Sequence, residues 1–151
     1  MTVKELSQVY MLQQEIDRYD RKIDELRAQR TAIQAPSFDK EPGGHGDLAH
    51  SKIETLTAEI IDLEELLRLH RRQRVLECQR LERYIAGVED PVVRQIMQMR
   101  FADLVQWPEI AKEMNYSIEA VKKRLYRYLE KHDENGVEIV EQAVENVERR
   151  K

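Results

Sequence analysis

Thirty-three consecutive residues, 3–35, contain neither glycine nor proline, and their apolar side chains fall on a narrow repeat. Val9, Leu12, Ile16, Tyr19, Ile23 and Leu26 follow one another at alternating spacings of three and four, and Ile33 resumes the pattern seven residues on. Arg30 occupies the skipped position. Alternation of three and four keeps one stripe of a helix apolar, the heptad seam of a coiled coil. Six acidic and six basic residues share the same stretch, so the other faces are polar and electrically balanced. At about 1.5 Å per residue such a helix runs roughly 50 Å. A helix this long with so narrow a seam needs another helix to cover it.

The segment PSFDKEPGGHGD, 36–47, ends the pattern with two prolines and three glycines and reads as a loop. From 48 to 88 a second seam follows: Ile53, Leu56, Ile60, Leu63 and Leu67, then His70, Arg74, Leu81, Tyr84, Ile85 and Val88. The two seams can close on each other as an antiparallel hairpin within one chain, or pair between chains. The basic run RLHRRQR, 68–74, is either a solvated face or an auxiliary contact to phosphate.

Residues 89–132 break into three shorter helices. Asp90-Pro91 supplies a capping carboxylate and a proline at the first helical position. Val92, Val93, Ile96, Met97 and Phe101 give the first helix its apolar side, and ADLVQ interrupts it. Pro108 opens a second helix, PEIAKEM, with Ile110, Ala111 and Met114 inward. Asn115-Tyr116 turns the chain, and Ser117 caps a third helix that buries Val121, Leu125 and Leu129. A short helix, a tight turn and a longer basic helix form the helix-turn-helix pattern. Beyond 132, HDENG stops that helix, and Val137, Val140, Val144 and Val147 mark a short amphipathic helix over 133–151.

Charge is unevenly placed. The chain carries −4 overall, but residues 91–132 hold eight Lys and Arg against five Asp and Glu, a local +3. For a polyanionic partner the local face matters more than the total. In the third helix Glu119, Ala120 and Lys123 lie towards the exposed N-terminal end, where side chains of a groove-bound helix reach base edges. Lys122, Tyr126 and Arg127 lie on the flanks, suited to phosphates. Glutamate accepts from cytosine and lysine donates to guanine, while a small Ala120 permits close approach.

Other chemistries find little support. Gly43-Gly44-His45-Gly46 lacks the following Lys-Ser/Thr of a phosphate-binding loop. His45, His50, His70 and His132 have no cysteine or carboxylate at ligand spacing, so no metal or other cofactor is expected. Cys78, the single cysteine, sits on the long helix without an obvious histidine partner and fits a reducing cytosol. No enzymatic activity is expected. No apolar run approaches the ~18 residues of a membrane span, and the opening MTVKELSQVY lacks the apolar core of a signal peptide.

Residues 85–130 resemble region 4 of the sigma-70 factors of bacterial RNA polymerase. The resemblance is carried by DPVVRQIMQMRF (90–101), EIAKEMNYS (109–117) and AVKKRLYR (120–127). It is closest from Ser117 to Arg127, where a capping hydroxyl, a small residue, Val, Lys, a variable position, Arg and Leu recur in that order. It implies that Arg124 contacts phosphate or braces the fold. Trp107-Pro108 stands where the family usually has Ser or Thr before the helix that opens with EIA. Residues 1–88 also lack the aromatic-rich promoter-melting helix of a complete sigma factor. A heptad-rich hairpin, a Gly-Pro loop and a region-4-like helix-turn-helix together resemble the late-gene transcriptional regulators of phages and prophages of Gram-positive bacteria described as RinA- or ArpU-like, over about residues 3–132.

The expectation is an all-α chain: a coiled-coil hairpin over 1–88, a compact helix-turn-helix domain over 89–132 and a C-terminal helix. As a sequence-specific transcription regulator it would bind double-stranded DNA through Ser117, Glu119, Ala120, Lys122, Lys123, Arg124, Tyr126 and Arg127. It would act as a homodimer in the cytoplasm of a bacterial host, with RNA polymerase as a further partner. A polymerase-binding adaptor without DNA specificity, and a phage DNA-packaging recognition subunit, are the competing readings.

Overall fold

The computed structural model describes residues 1–35 and 46–132, and every regular element among them is helical. The expected loop tip, His45 and the expected C-terminal helix lie outside the described residues. The elements are α1 (Val3–Leu6), α2 (Gln8–Gln34), α3 (Gly46–Ala86), α4 (Pro91–Met97), α5 (Trp107–Met114) and α6 (Ile118–His132). The chain divides into two compact units, one of Met1–Met11 with the chain from Arg74 onward, the other of Leu12–Gln73.

The Leu12–Gln73 unit is a helical hairpin closed within the chain. Ile16, Ile23 and Leu26 of α2 bury against Leu56, Ile60 and Leu67 of α3, with Tyr19, Ile33 and Leu63 partly covered beside them. Cross-helix pairs fix the direction. Arg71 reaches Asp20 at 3.2 Å and His70 meets Glu15 at 3.0 Å. Arg27 bonds Glu64, and Arg30 donates to the Thr57 hydroxyl at 3.4 Å. From Asp20–Arg71 through Arg27–Glu64 to Arg30–Thr57 the numbers rise on α2 and fall on α3, so the helices are antiparallel. The Arg30–Thr57 bond accounts for the polar residue at the skipped seam position. All these pairs are at least partly exposed and each contributes little, about 0.2–1 kcal/mol. The seam holds the hairpin, at roughly 1.5–3 kcal/mol for each large apolar side chain fully covered.

The second unit is larger than the 89–132 segment suggested by sequence. Val3, Leu6 and Val9 at the N-terminus, and Leu81, Ile85 and Val88 at the end of α3, share one apolar cluster with the helix-turn-helix residues. Three short helices alone enclose too little apolar surface, and small domains are marginal for that reason. Supplying the extra walls from the two long helices solves the problem, and Val9 and Leu81 fall on the same spacing as the seam residues although they pack into a different core. The N-terminus is also better ordered than its seam requires. Thr2 and Glu5 form a capping box: the Glu5 N–H donates to Thr2 Oγ1 at 3.2 Å, and the Thr2 N–H donates to Glu5 Oε2 at 2.8 Å. Arg80 adds an ion pair to Glu5 at 2.9 Å. The expected single helix over 3–35 is interrupted at Ser7, between α1 and α2.

Asp90 caps α4, accepting from the N–H groups of Val92 and Val93 at 2.9 and 3.3 Å. After Met97 the helix widens through Gln98–Ala102, and the Asp103 N–H reaches back to the Gln98 carbonyl at 3.0 Å. This extra residue in the turn brings Met99, Phe101 and Ala102 into the core. Leu104 then adopts φ 58°, and the chain turns into α5.

Candidate nucleic-acid interface

The expected helix-turn-helix is built by α5, the three-residue connection Asn115, Tyr116 and Ser117, and α6. Asn115 ends α5 in the left-handed conformation, φ 57° and ψ 38°, a region asparagine tolerates better than most residues. The Tyr116 N–H donates to the Ala111 carbonyl at 3.0 Å, closing the last turn. Ser117 Oγ accepts the Ala120 N–H at 3.1 Å, so Ser117 caps α6. Val121, Leu125 and Leu129 are fully buried. They belong to the same apolar cluster as Val93, Ile96, Met97 and Ile110. Side chains four apart lie on one face, so this buried row decides which residues α6 turns outward.

Ser117, Glu119, Ala120, Lys123, Arg124 and Arg127 are exposed, while Lys122 and Tyr126 are half-buried. These eight residues do not form one uniform patch. Arg124 turns towards α4 and holds Asp90, with its Nη2 3.1 Å from Asp90 Oδ2 and its Nε 3.4 Å from the same oxygen. Asp90 thus caps α4 and pins α6 to it with one carboxylate. Partial burial disfavours its charge, but the Val93 N–H, Arg124 and the Val92 N–H outweigh that and keep its carboxyl below the ordinary range. Of the two roles implied for Arg124, bracing is the one its contacts perform.

Lys122 leans the other way. Its ammonium lies 5.7 Å from the Trp107 ring centre, and the Arg100 guanidinium lies 4.9 Å from the same ring. Arg100 also donates to the Val105 carbonyl at 3.1 Å. Trp107 is therefore the platform on which two cations rest at the start of α5. Its place in the sequence, where a hydroxyl was expected, gave no sign of this. Lys122, Tyr126, Tyr10, Met11, Phe101 and Trp107 line a mostly apolar cleft of about 330 Å³.

Lys123 and Arg127 remain. They lie one turn apart, both exposed, and neither forms an ion pair among the described residues. With Ala120, Tyr128 and Lys131 they border a groove of about 520 Å³ between α4 and α6. Glu119 and Ala120 stand at the exposed N-terminal end of the same helix.

The basic run on α3 behaves differently. Arg71 and His70 pair across the hairpin with Asp20 and Glu15, and Arg68 lies 3.7 Å from Glu65. Arg72 and Arg74 form no ion pair among the described residues, so the run is only partly met by carboxylates of the hairpin. Cys78 is partly buried, and burial and Glu82 push its thiol above the ordinary range. Among the described residues no group of three or more His, Cys, Asp or Glu could hold a metal ion. Nor is any helix among them long and apolar enough to cross a membrane. No family model, curated protein or solved structure matches the chain.

Proposed function

We propose that the chain is a sequence-specific DNA-binding transcription regulator of the phage and prophage late-gene kind. In this reading α6 enters the major groove. The observation that carries it is the division of labour on α6: one arginine is committed to holding the helix, and the neighbouring Lys123 and Arg127 are left exposed without an ion pair among the described residues. A helix fixed to its support and presenting cations along its outer side is what insertion into a wide, anionic groove requires.

The roles follow position. Glu119, Ala120 and Lys123, near the N-terminal end, read base edges. Arg127 contacts phosphate, and Lys122 and Tyr126 follow the backbone from the α5 side. Ser117 and Arg124 keep the helix in place. Selection of bound sequences from random duplex DNA at two salt concentrations tests the proposal. One enriched motif, with affinity falling steeply as salt rises, is expected. No enrichment, with equal affinity in wild type, Lys123→Glu and Arg127→Ala, overturns it.

A polymerase-binding adaptor is a second reading, favoured by one observation. The cleft beside Trp107 exposes Tyr10 and Met11, 42% and 54% accessible, close to cationic side chains. Retention of purified polymerase by a protein that binds no duplex would select it.

A further inference from the structure

The apolar seam that could have joined two chains is occupied within one: Leu56, Ile60 and Leu67 of α3 are buried against α2. Yet α3 carries more apolar surface than this seam uses. Ile61, Leu69 and Leu76 are 57%, 55% and 57% accessible. At about 100° per residue, all three lie within roughly 60° of the direction opposite the buried seam.

We propose that this outer stripe of α3 is a homodimer interface, in which it packs antiparallel against α3 of a second copy about a two-fold axis between residues 68 and 69. The stripe is self-complementary in that arrangement. Ile61 faces Leu76 of the second copy, and Leu69 meets its own equivalent beside the axis. Glu65 faces Arg72 of the second copy, and Glu54 faces Arg83. All four charged residues are exposed on this helix. Glu65 has only a 3.7 Å intrahelical contact to Arg68, and Arg72 has no ion pair among the described residues. Parallel pairing would instead set Glu65 against Glu65 and Arg72 against Arg72, which is repulsive. Among the four charged residues of these pairs, Glu54 and Glu65 precede the axis and Arg72 and Arg83 follow it, with Ile61, Leu69 and Leu76 spaced between them. Glu54 to Arg83 spans roughly 45 Å of helix, enough for four heptads of contact.

This interface does not depend on the DNA-binding reading, and its test uses no DNA. Sedimentation equilibrium of the full chain over a wide concentration range should give a dimer. Glu65→Arg and Arg72→Glu each place two like-charge contacts in the dimer and should weaken association about tenfold or more. The double variant E65R/R72E, with both pairs reversed, should recover most of the wild-type affinity. Leu69→Asp should leave a monomer with unchanged helical circular dichroism. A monomer at every concentration, a larger ring, or a dimer indifferent to both single reversals overturns the proposal.

Discussion

The hairpin of α2 and α3 and the unit that carries α5 and α6 use the same residue types to different ends. In the hairpin, arginines face carboxylates: Arg71 on Asp20 and Arg27 on Glu64, with the His70 ring beside Glu15. In the other unit Arg124 alone on α6 is spent in this way, and Lys123 and Arg127 are not. Their cores differ as well. The hairpin closes over a single narrow seam. The helix-turn-helix unit surrounds Ile96, Met97, Ile110 and Leu125, all at 0% accessibility, from several directions. A run of arginines therefore says little until its partners are known. RLHRRQR is as basic as VKKRLYR, yet in the first Arg71 is tied to the facing helix and Arg68 lies beside Glu65, while in the second Arg124 alone is held by a carboxylate.

Core truncation gives the largest contrast between the units. Leu125→Ala opens a cavity enclosed by several elements and should cost about 2–5 kcal/mol. Leu67→Ala lies in a two-helix seam that can partly collapse, and its cost should sit at the lower end of that range. Chemical denaturation of both variants checks the order. Equal losses would mean that the seam is as tightly enclosed as the larger core.

Charge reversal comes next. Lys123→Glu should lower specific DNA affinity by roughly a hundredfold or more, through a lost base contact and added repulsion. Arg71→Glu, an equal change of charge in the hairpin, should leave DNA affinity unaltered. Arg127→Ala should weaken binding to all sequences alike and reduce the slope of log affinity against log salt by about one. Electrophoretic mobility or anisotropy titrations at several salt concentrations read all three. An Arg71→Glu effect as large as that of Lys123→Glu would erase the distinction drawn between the two basic runs.

The seams themselves were legible, because a long heptad pattern leaves few other folds open. So were Asp90 and Ser117 as caps and the inward row Val121, Leu125 and Leu129. Three features were not. The change of role along α2 and α3 is hidden because Val9 and Leu81 keep the spacing of the coiled coil while packing into a different core. The widened turn at Gln98–Ala102 has no residue signature, since Gln, Met, Arg, Phe and Ala all suit an ordinary helix. The contacts of Arg124 with Asp90 and of Lys122 with Trp107 link residues far apart in the chain, and helical periodicity carries no information about such pairs. Helical position placed the eight candidate residues on one helix, and tertiary contacts are what set Arg124 and Lys122 apart from the rest.

Acid should separate the pinned helix from the rest. Asp90 has its carboxyl held below the ordinary value, so the stability it contributes is fully present above the unfolded carboxylate pKa of about 3.9. That contribution is lost as pH falls through the lower folded value. Glu5 behaves in the same direction, chiefly through the Thr2 N–H and then its other bonds to Thr2 and Arg80. Asp90→Asn should lower stability at neutral pH and flatten the decline below pH ~4. Thermal unfolding from pH 3 to 7 checks this, and an unchanged acid slope in the variant would remove Asp90 as the link between α4 and α6.

The smallest expected effect lies in the turn between α5 and α6. Asn115 holds φ 57°, where a Cβ is costly and glycine is free of that cost. Its side chain is exposed, so little packing depends on it. Asn115→Gly relieves the native strain but gives the unfolded chain more freedom, and these two changes oppose each other. The net effect should be within about 0.5 kcal/mol. Asn115→Ala keeps the strain and loses the tolerance of asparagine for this region, so it should cost about 1 kcal/mol. Neither variant removes a charge from α6. A stability change in Asn115→Ala with unaltered DNA affinity in the folded protein would show that the turn positions the helix without reading the duplex. A loss of affinity larger than the loss of stability would make the turn part of the contact surface, beside Tyr116 and Ser117.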